Sequence, residues 1–293
     1  MNFIEALLLG LLQGLTEFLP ISSSGHLILG ERFFGIPETQ LLFNIVLHLG
    51  TLVAVTLFYR KDVYNAVTGF TKGSIAGVQT RTLEAFRRFE GARLAVLLVL
   101  ATIPTGVIGV LINRLIEPDD AAPWIAPAVL PSVICAALIV NGFILMSTRF
   151  FSDDKAPTRE SNWSLWNITP TVAILIGVAQ GLAVLPGFSR SGLTITAAIW
   201  LGVVRIESAR FSFLLSIPAV LGALVLKFNA DLFTGIDGPL IFTMFIAAAA
   251  VAGVAGYLTL IVLVKMLKKA QFQHFAWYSW AVGIIGLILL SLY

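Results

Sequence analysis

Charged residues are scarce in this chain of 293 residues. Asp, Glu, Lys and Arg together make up 12% of it, about half of the roughly 25% found in soluble domains. Hydrophobic residues make up 58% before the 25 glycines are counted, so the charged side chains are too few to cover a water-facing surface. These proportions exclude a soluble globular protein and an intrinsically disordered chain. The sequence therefore predicts an integral membrane protein made mostly of helices.

Cysteine and histidine are rarer still. The one cysteine, Cys135, stands in an apolar run, so a disulfide scaffold is excluded and the residue is interpreted as part of the packing. Of the three histidines, His48 lies in an apolar segment and His274 at a predicted helix end, and we interpret both as structural. The third, His26, follows a serine cluster. The net charge of +3 gives no indication of a nucleic-acid partner, and we expect none.

Long apolar runs fill most of the chain, and six of them are long enough to cross a bilayer as helices. They are Leu41–Tyr59, Leu94–Ile112, Ile125–Met146, Phe211–Lys227, Leu240–Val264 and Phe275–Leu292. Two further apolar stretches, Phe3–Phe34 and Ile168–Val204, are each interrupted by proline, serine and glycine. Non-helical backbone at membrane depth is tolerated only inside protein or beside a water-filled cavity. We therefore predict two re-entrant helix–loop–helix hairpins in addition to six transmembrane helices.

The two interruptions resemble each other. Gln13-Gly14-Leu15 recurs as Gln180-Gly181-Leu182, and three residues of the first turn recur in the second, all at a separation of 167 residues. This pattern predicts an internal duplication within one membrane domain, with repeat 1 over about residues 1–150 and repeat 2 over about residues 165–293. Each repeat would hold one hairpin and three spans. Because three is odd, the second copy must be inverted relative to the first, as in many transporter folds.

Basic residues fall mainly on one predicted side of the membrane. Fifteen of the 19 Lys and Arg lie in segments 60–93, 149–159, 205–210 and 265–269, which the positive-inside rule assigns to the cytoplasm. The N-terminus, the mouth of the first hairpin, the acidic loop Glu117–Asp120 and the C-terminus are then predicted to face outward. The second hairpin would enter from the cytoplasmic side, so that the two turns meet near mid-membrane.

Aromatic residues cluster at the start of the last predicted span. Trp277, Tyr278 and Trp280 stand within four positions of one another. Trp and Tyr are enriched where helices cross the membrane–water interface. We interpret the three residues as an interfacial anchor.

Ionisable side chains inside apolar segments indicate function, because they are costly in a membrane. The first interruption carries Gln13, Glu17, Ser23 and His26. Gln13 and Glu17 share a helix face at a spacing of four residues, and Ser23 and His26 share one at a spacing of three. A hydroxyl beside an imidazole is a candidate nucleophile and base. His26 as the nucleophile itself is an interpretation that the residues leave open.

The second interruption carries Arg190 between Ser189 and Ser191, followed by Gly192 and a helical segment. A helix N-terminus offers unsatisfied N–H groups, and arginine adds a planar fork of donors. We therefore predict a phosphate-binding arrangement around Arg190. A simpler interpretation is that Glu17 and Arg190 form an ion pair that only joins the hairpins, which leaves the surrounding hydroxyls and glycines unexplained.

The strings QGLTEFLPISSSGH (Gln13–His26) and LPGFSRSG (Leu185–Gly192) resemble the two signature motifs of the bacterial undecaprenyl-diphosphate phosphatases. The resemblance extends over nearly the whole chain and includes the stretch FSFLLSIP at Phe211–Pro218. It implies a multi-pass membrane phosphatase, a phosphoric anhydride hydrolase that converts undecaprenyl diphosphate to undecaprenyl phosphate and inorganic phosphate. In the family, this reaction recycles the lipid carrier of peptidoglycan and cell-wall synthesis at the outer face of the bacterial inner membrane, and it is linked to bacitracin resistance.

The resemblance also implies which residues act. We expect Ser23 as the nucleophile with His26 as its base, Arg190 as the phosphate clamp, and Glu17 either holding a divalent cation, Mg²⁺ or Ca²⁺, or orienting His26. The first position of the family's first motif, Glu or Gln, is Gln13 here, so Glu17 is its one carboxylate. Substrate-binding roles are expected for the polar and glycine positions of both turns: Gln13, Ser22, Ser24, Gly25, Ser189, Ser191 and Gly192.

The expected partners are a polyprenyl diphosphate and the membrane lipids, and the sequence leaves a homodimer open. A lipid-phosphate flippase or anion transporter is the alternative function, because inverted repeats with broken helices are typical of transporters. A carrier needs anion ligands but no nucleophile with a base, so Ser23 and His26 favour the phosphatase. An intramembrane serine protease, a third class, would not need Arg190.

Overall fold

The computed structural model describes residues 1–33, 35, 41–80, 89–116, 130–151, 168–227 and 239–292. These residues form helices and connecting turns, with no β-strand among them. The helices are α1 (Phe3–Glu17), α2 (Ser23–Phe33), α3 (Leu41–Phe58), α4 (Arg60–Thr80), α5 (Glu90–Ile116), α6 (Leu130–Ser147), α7 (Pro170–Leu182), α8 (Arg190–Trp200), α9 (Arg205–Lys227), α10 (Pro239–Lys268) and α11 (Phe275–Leu292). Short 3-10 helices follow α6 at Thr148–Phe150 and precede α11 at Phe272–His274.

Five helices of the described residues, α5, α6, α9, α10 and α11, are long and apolar enough to cross a membrane. They match five of the six predicted spans, and α3 qualifies together with α4, from which it is bent by 82°. The all-helical, multi-pass membrane fold predicted from the composition is thus confirmed. Residues 125–129 of the predicted span Ile125–Met146 and the acidic loop Glu117–Asp120 lie outside the described residues.

Helix α4 is the largest departure from the sequence prediction. Residues 60–80, part of the basic segment 60–93 in which no span is predicted, form a helix of 21 residues. Its buried positions Ala66, Gly69 and Gly73 recur every three or four residues, so one narrow face packs on α5. The segment is too polar to cross a membrane. A helix that buries only a narrow stripe of residues has no long apolar run, so it cannot be found by looking for spans.

Two helical hairpins, α1–α2 and α7–α8, form around the two predicted interruptions. The first arm of each packs on a long helix from the other part of the chain: α1 on α10, and α7 on α5. Glycine permits this approach, because a Cβ at Gly10 would lie 2.4 Å from the carbonyl oxygen of Ala248, and one at Gly177 would lie 2.1 Å from that of Ala101. Such close packing through small residues is typical of membrane helices.

The predicted cytoplasmic segments contact one another. Arg205 donates a hydrogen bond to the main-chain carbonyl of Phe151, and Arg210 forms an ion pair with Asp62. These contacts join three of the four basic segments. These three segments therefore lie on one side of the molecule, as the distribution of Lys and Arg predicts.

Candidate active site

A serine shapes the first hairpin turn. Helix α1 ends at Glu17, α2 begins at Ser23, and Ser22 between them has a φ of 69°, in the left-handed region that residues other than glycine rarely adopt. The Oγ of Ser22 accepts a hydrogen bond from the N–H of Gly25 at 3.3 Å. This bond satisfies one of the free N–H groups at the start of α2. Backbone strain of this kind is concentrated at functional sites.

The second hairpin turn uses the same contact. Ser189 caps α8, and its Oγ accepts a hydrogen bond from the N–H of Gly192 at 3.1 Å. Arg190 is consequently the first residue of α8, as Ser23 is the first residue of α2. The start of α8 thus carries a guanidinium at the positive end of a helix dipole, the combination that suits an anion.

The two turns contact each other directly. The Oγ of Ser191 donates a hydrogen bond to the carbonyl of Leu19 at 3.2 Å. Asn141 of α6 bridges both turns, because its Nδ2 donates to the carbonyl of Pro20 at 2.9 Å and its Oδ1 accepts from the N–H of Ser189 at 3.3 Å. Asn141 is completely buried. Asn141 was not predicted from the sequence, although a lone amide inside an apolar run was the available signal.

Glu17 lies at the centre of the polar contacts. Its Oε1 accepts a hydrogen bond from Nη2 of Arg190 at 2.8 Å. Its Oε2 accepts one from the Oγ of Ser23 at 2.6 Å and another from Nε2 of Gln13 at 3.0 Å. The carboxylate is buried, and the guanidinium compensates for a charge that would be costly alone. The structure thus brings together four of the residues that the sequence singled out.

His26 makes different contacts from those predicted. Its Nδ1 lies 2.7 Å from the carbonyl oxygen of Ser22, and its Nε2 lies 2.9 Å from the hydroxyl oxygen of Tyr278. Both ring nitrogens are engaged, and no hydrogen bond joins the described side chains of Ser23 and His26. The structure therefore corrects the predicted Ser23–His26 pair, since Glu17 accepts the hydrogen bond from Ser23. Side chains on a helix lean toward its N-terminus, so Ser23, at the start of α2, reaches back to the end of α1.

His48, which the sequence analysis interprets as structural, lies next to the site. Its Nε2 lies 3.9 Å from Oε2 of Glu17, and its Nδ1 lies 2.8 Å from the carbonyl oxygen of Asn44. A carbonyl can only accept a hydrogen bond, so Nδ1 donates and a neutral His48 has its lone pair on Nε2. His48 is thus a second ionisable neighbour of Glu17, contributed by α3, and no spacing in the sequence links it to the first hairpin.

The remaining predicted positions differ in their surroundings. Gly25 and Gly192 let the two turns pack closely on α6, because a Cβ on Gly25 would lie 3.0 Å from Ile134 and one on Gly192 would lie 3.2 Å from Oδ1 of Asn141. Ser24, in contrast, is exposed. The glycines are therefore explained by packing, whereas Ser24 takes part in none of the contacts that join the turns.

The side chains around Glu17 offer few oxygen ligands for a divalent cation. Mg²⁺ and Ca²⁺ take oxygen ligands, and Mg²⁺ is commonly bound through one or two carboxylates together with substrate phosphates. Oε1 of Gln13 is buried without a hydrogen-bond partner and could join the Glu17 carboxylate as a ligand. Within the described residues, no group of three or more His, Cys, Asp or Glu side chains is arranged for a metal. The side chains of Gln13 and Glu17 alone do not complete a cation site, so a bound cation would need further oxygen ligands from a phosphate group.

The fold and the site together define a class of protein. It is an integral membrane protein with a buried polar site where the turns of two helical hairpins meet. Sequence comparison gives the family within that class. The chain belongs to the family described as "Bacitracin resistance protein BacA", whose sequence model matches residues 6–285.

Relatives in this family are similar over most of their length. A protein of Desulfatibacillum aliphaticivorans is 42% identical over 234 residues, which cover 78% of each chain. One of Alcanivorax borkumensis is 43% identical over 227 residues, covering 78% of this chain and 77% of the relative. One of Methanobrevibacter smithii is 38% identical over 227 residues, covering 78% and 76%. All three are named undecaprenyl-diphosphatase.

Proposed function

We propose that this protein hydrolyses undecaprenyl diphosphate to undecaprenyl phosphate and inorganic phosphate. The proposal rests on one observation above the others: the hydrogen bond from Ser23 to Glu17, next to Arg190 at the start of α8. A hydroxyl, a proton acceptor and a cation in one partly buried cluster suit phosphoryl transfer. A lipid flippase or anion transporter would need the cation but not the hydroxyl–carboxylate pair.

Arg190 is proposed to bind the diphosphate while it stays near Glu17. Its Nη2 donates to Glu17, and the guanidinium has four other N–H donors arranged in a planar fork. A diphosphate suits this fork because two of its oxygens can be bound at once. The N–H groups at the start of α8 would add donors for the same anion.

In the first step, the Oγ of Ser23 attacks the terminal phosphorus, and the bond from this phosphorus to the bridging oxygen breaks. The electron pair of that bond leaves with undecaprenyl phosphate, and the Oγ proton passes to Glu17, which accepts its hydrogen bond at 2.6 Å. Arg190 and the N–H groups of α8 stabilise the charge that develops on the phosphoryl oxygens. A cation held by Glu17 and Gln13 would supply further neutralisation of the diphosphate.

In the second step, water attacks the phosphoserine and inorganic phosphate leaves. His26 is proposed to accept the proton of this water through Nε2, and Glu17 returns its proton to the Oγ of Ser23. The rival mechanism has His26 itself as the nucleophile. Nε2 would then be the attacking atom, because Nδ1 donates to the carbonyl of Ser22.

An apolar groove between α3 and α10 is proposed to hold the prenyl chain. The groove has a volume of about 720 Å³ and is lined by Val46, Leu49, Gly50, Val53, Ala54, Leu57, Ile246, Ala249, Ala250, Gly253, Val254, Tyr257 and Leu258. Helix α3 also carries His48, which lies 3.9 Å from Glu17, so one helix borders both the groove and the polar site. This arrangement suits a lipid with a long apolar chain and a charged head.

The placement in the membrane is part of the proposal. We propose that the basic side of the molecule lies in the cytoplasm of the bacterial inner membrane and that the site opens to the outer face. We also propose that residues 1–150 and 165–293 are inverted repeats. The caps Ser22 and Ser189 support this, as do the close approaches at Gly10 and Gly177, since both pairs are 167 residues apart. A homodimer stays a prediction.

The test is phosphate release from a polyprenyl diphosphate by the purified protein in detergent, with and without EDTA. The wild type should release phosphate, and Glu17→Gln should release far less at an unchanged elution profile. A wild type that releases none contradicts the proposed function. Loss of activity in EDTA that Mg²⁺ or Ca²⁺ restores supports the cation, and full activity in EDTA contradicts it.

A further inference from the structure

Tyr278 covers His26 from the opposite end of the chain. Its hydroxyl oxygen lies 2.9 Å from Nε2 of His26, and the two rings are stacked with their centroids 5.6 Å apart and their planes 14° apart. Tyr278 is the fourth residue of α11, which packs on α6. Two independent contacts, one polar and one between ring faces, thus hold the same imidazole.

The direction of the hydrogen bond follows from the partner on the other side of the ring. Nδ1 of His26 faces the carbonyl oxygen of Ser22, which can only accept, so Nδ1 carries a proton. A neutral imidazole then has its lone pair on Nε2, and the hydroxyl of Tyr278 donates to it. The tyrosine therefore occupies the one nitrogen of His26 that could take a proton from water or attack phosphorus.

A role as an interfacial anchor does not account for the orientation of the Tyr278 side chain. Trp277, one residue earlier, is 63% exposed and packs edge-on against Trp280, as an anchor would. Tyr278 is 43% exposed, whereas the residue that it covers, His26, is only 8% exposed. One member of the predicted aromatic anchor thus turns toward the candidate active site.

We infer that Tyr278 is a positioning residue for His26. Its hydroxyl and ring hold the imidazole in one orientation and in the tautomer with the lone pair on Nε2. The hydroxyl of Tyr278 moves off Nε2 of His26 when water or phosphate binds there. The effect on turnover rests on the proposed function, whereas the effect on the reactivity of His26 does not. The two effects can be measured separately.

Turnover is compared among the wild type, Tyr278→Phe, Tyr278→Ala and the neighbouring control Trp277→Phe. Tyr278→Phe keeps the stacked ring and removes the hydroxyl, so kcat should fall about tenfold with KM within about a factor of two, the scale of one lost hydrogen bond. The kcat of Tyr278→Ala should fall further. Trp277→Phe should stay near the wild type. Equal losses in Trp277→Phe and Tyr278→Phe would mean that anchoring is the only role, and would overturn the inference.

The second measurement needs no substrate. Diethyl pyrocarbonate modifies imidazole nitrogens that have a free lone pair, and peptide mass spectrometry gives a separate rate for each histidine. At His26 the rate should rise about fivefold in Tyr278→Phe, because the competing hydrogen bond is gone, and should rise further in Tyr278→Ala. His48 and His274 serve as internal references, whose rates should stay constant.

Each result bears on the inference. Faster modification of His26 in both variants, together with the fall in kcat, supports it. An unchanged rate at His26 overturns it, whatever the turnover. Faster modification with unchanged kcat overturns the positioning role and leaves the proposed function standing. A wild type that releases no phosphate contradicts the proposed function and the positioning role together, while the modification rates still report whether the contact exists.

Discussion

The two hairpin turns share one capping hydrogen bond and differ in the side chains that follow it. In both, a serine accepts a hydrogen bond from the N–H of the glycine three residues later. The first residue of the second arm is Ser23 in one hairpin and Arg190 in the other, and the fourth is His26 in one and Leu193 in the other. One turn offers a nucleophile and its neighbours, and the other offers a cation.

This difference shows how two similar turns can together form a site that holds both a nucleophile and a cation. A hydroxyl and a guanidinium could not occupy the same position of one turn. Two copies of the turn, brought face to face by Asn141 and Ser191, place them on either side of Glu17. The comparison predicts that substitutions of the differing side chains affect chemistry, whereas substitutions of the shared ones affect stability.

The largest effect is expected at Ser23. Ser23→Ala should lower turnover by at least about two to three orders of magnitude, because covalent catalysis is lost. The control Ser291→Ala, on the exposed end of α11, should not change it. Phosphate release by purified variants measures this, and an acid-stable phosphoenzyme should be trapped in the wild type only. Full activity of Ser23→Ala with an inactive His26→Ala would make the histidine the nucleophile.

Arg190→Lys should lower turnover about a hundredfold despite the retained charge, because an ammonium cannot bind two phosphate oxygens in the planar geometry of a guanidinium. The exposed Arg32 gives a matched control, and Arg32→Lys should behave as the wild type. Turnover of purified Arg190→Lys near the wild-type value would contradict the phosphate clamp and leave only the ion pair with Glu17.

Asn141→Leu should lower both stability and turnover, because the carbonyl of Pro20 and the N–H of Ser189 lose a partner in a buried position. The expected loss is about 1–3 kcal/mol in the free energy of unfolding, with turnover down about tenfold as the turns separate. Thermal unfolding in detergent and phosphate release measure the two effects. Ser279→Ala, which removes only a 3.4 Å contact with Asn141, is the control. A stability loss without any loss of turnover would show that Asn141 does not set the geometry of the site.

The smallest effects are expected at the capping serines. Ser22→Ala and Ser189→Ala should each cost about 1 kcal/mol in the free energy of unfolding, since each removes one cap. Glycine should separate the two sites: Ser22 has a φ of 69° and Ser189 a φ of −90°, so glycine relieves strain only at position 22. Unfolding midpoints of the four variants test this. Equal values for Ser22→Gly and Ser22→Ala would contradict the strain at Ser22.

Much of the fold follows from local patterns in the sequence. Length and hydropathy are sufficient for α5, α6, α9, α10 and α11, because a bilayer sets the length of an apolar helix. The hairpins follow from polar interruptions in apolar runs. Helix α4 was missed because a helix lying on one neighbour needs only a narrow buried stripe.

Site residues could be predicted where one segment of the sequence marks them by itself. Those that join the site through contacts between distant segments could not. Glu17 and Arg190 stand out as charges in apolar segments. Asn141 bonds to Pro20 across 121 residues and Tyr278 to His26 across 252, and no spacing encodes such contacts. The Ser23–His26 pair failed for a different reason: a shared helix face does not decide between two acceptors, and Glu17 at the end of α1 lies closer to the start of α2.

The bridging of the two hairpins has a consequence for biogenesis. The ribosome makes Glu17 long before Arg190, and at about 5–20 residues per second the delay is on the order of ten to thirty seconds. During this time the carboxylate has no guanidinium partner, and a lone charge in hydrocarbon is expensive. The first hairpin is therefore expected to wait in a hydrated environment at the translocon until α8 has been synthesised. The earliest part of the chain would then be among the last to settle in the bilayer.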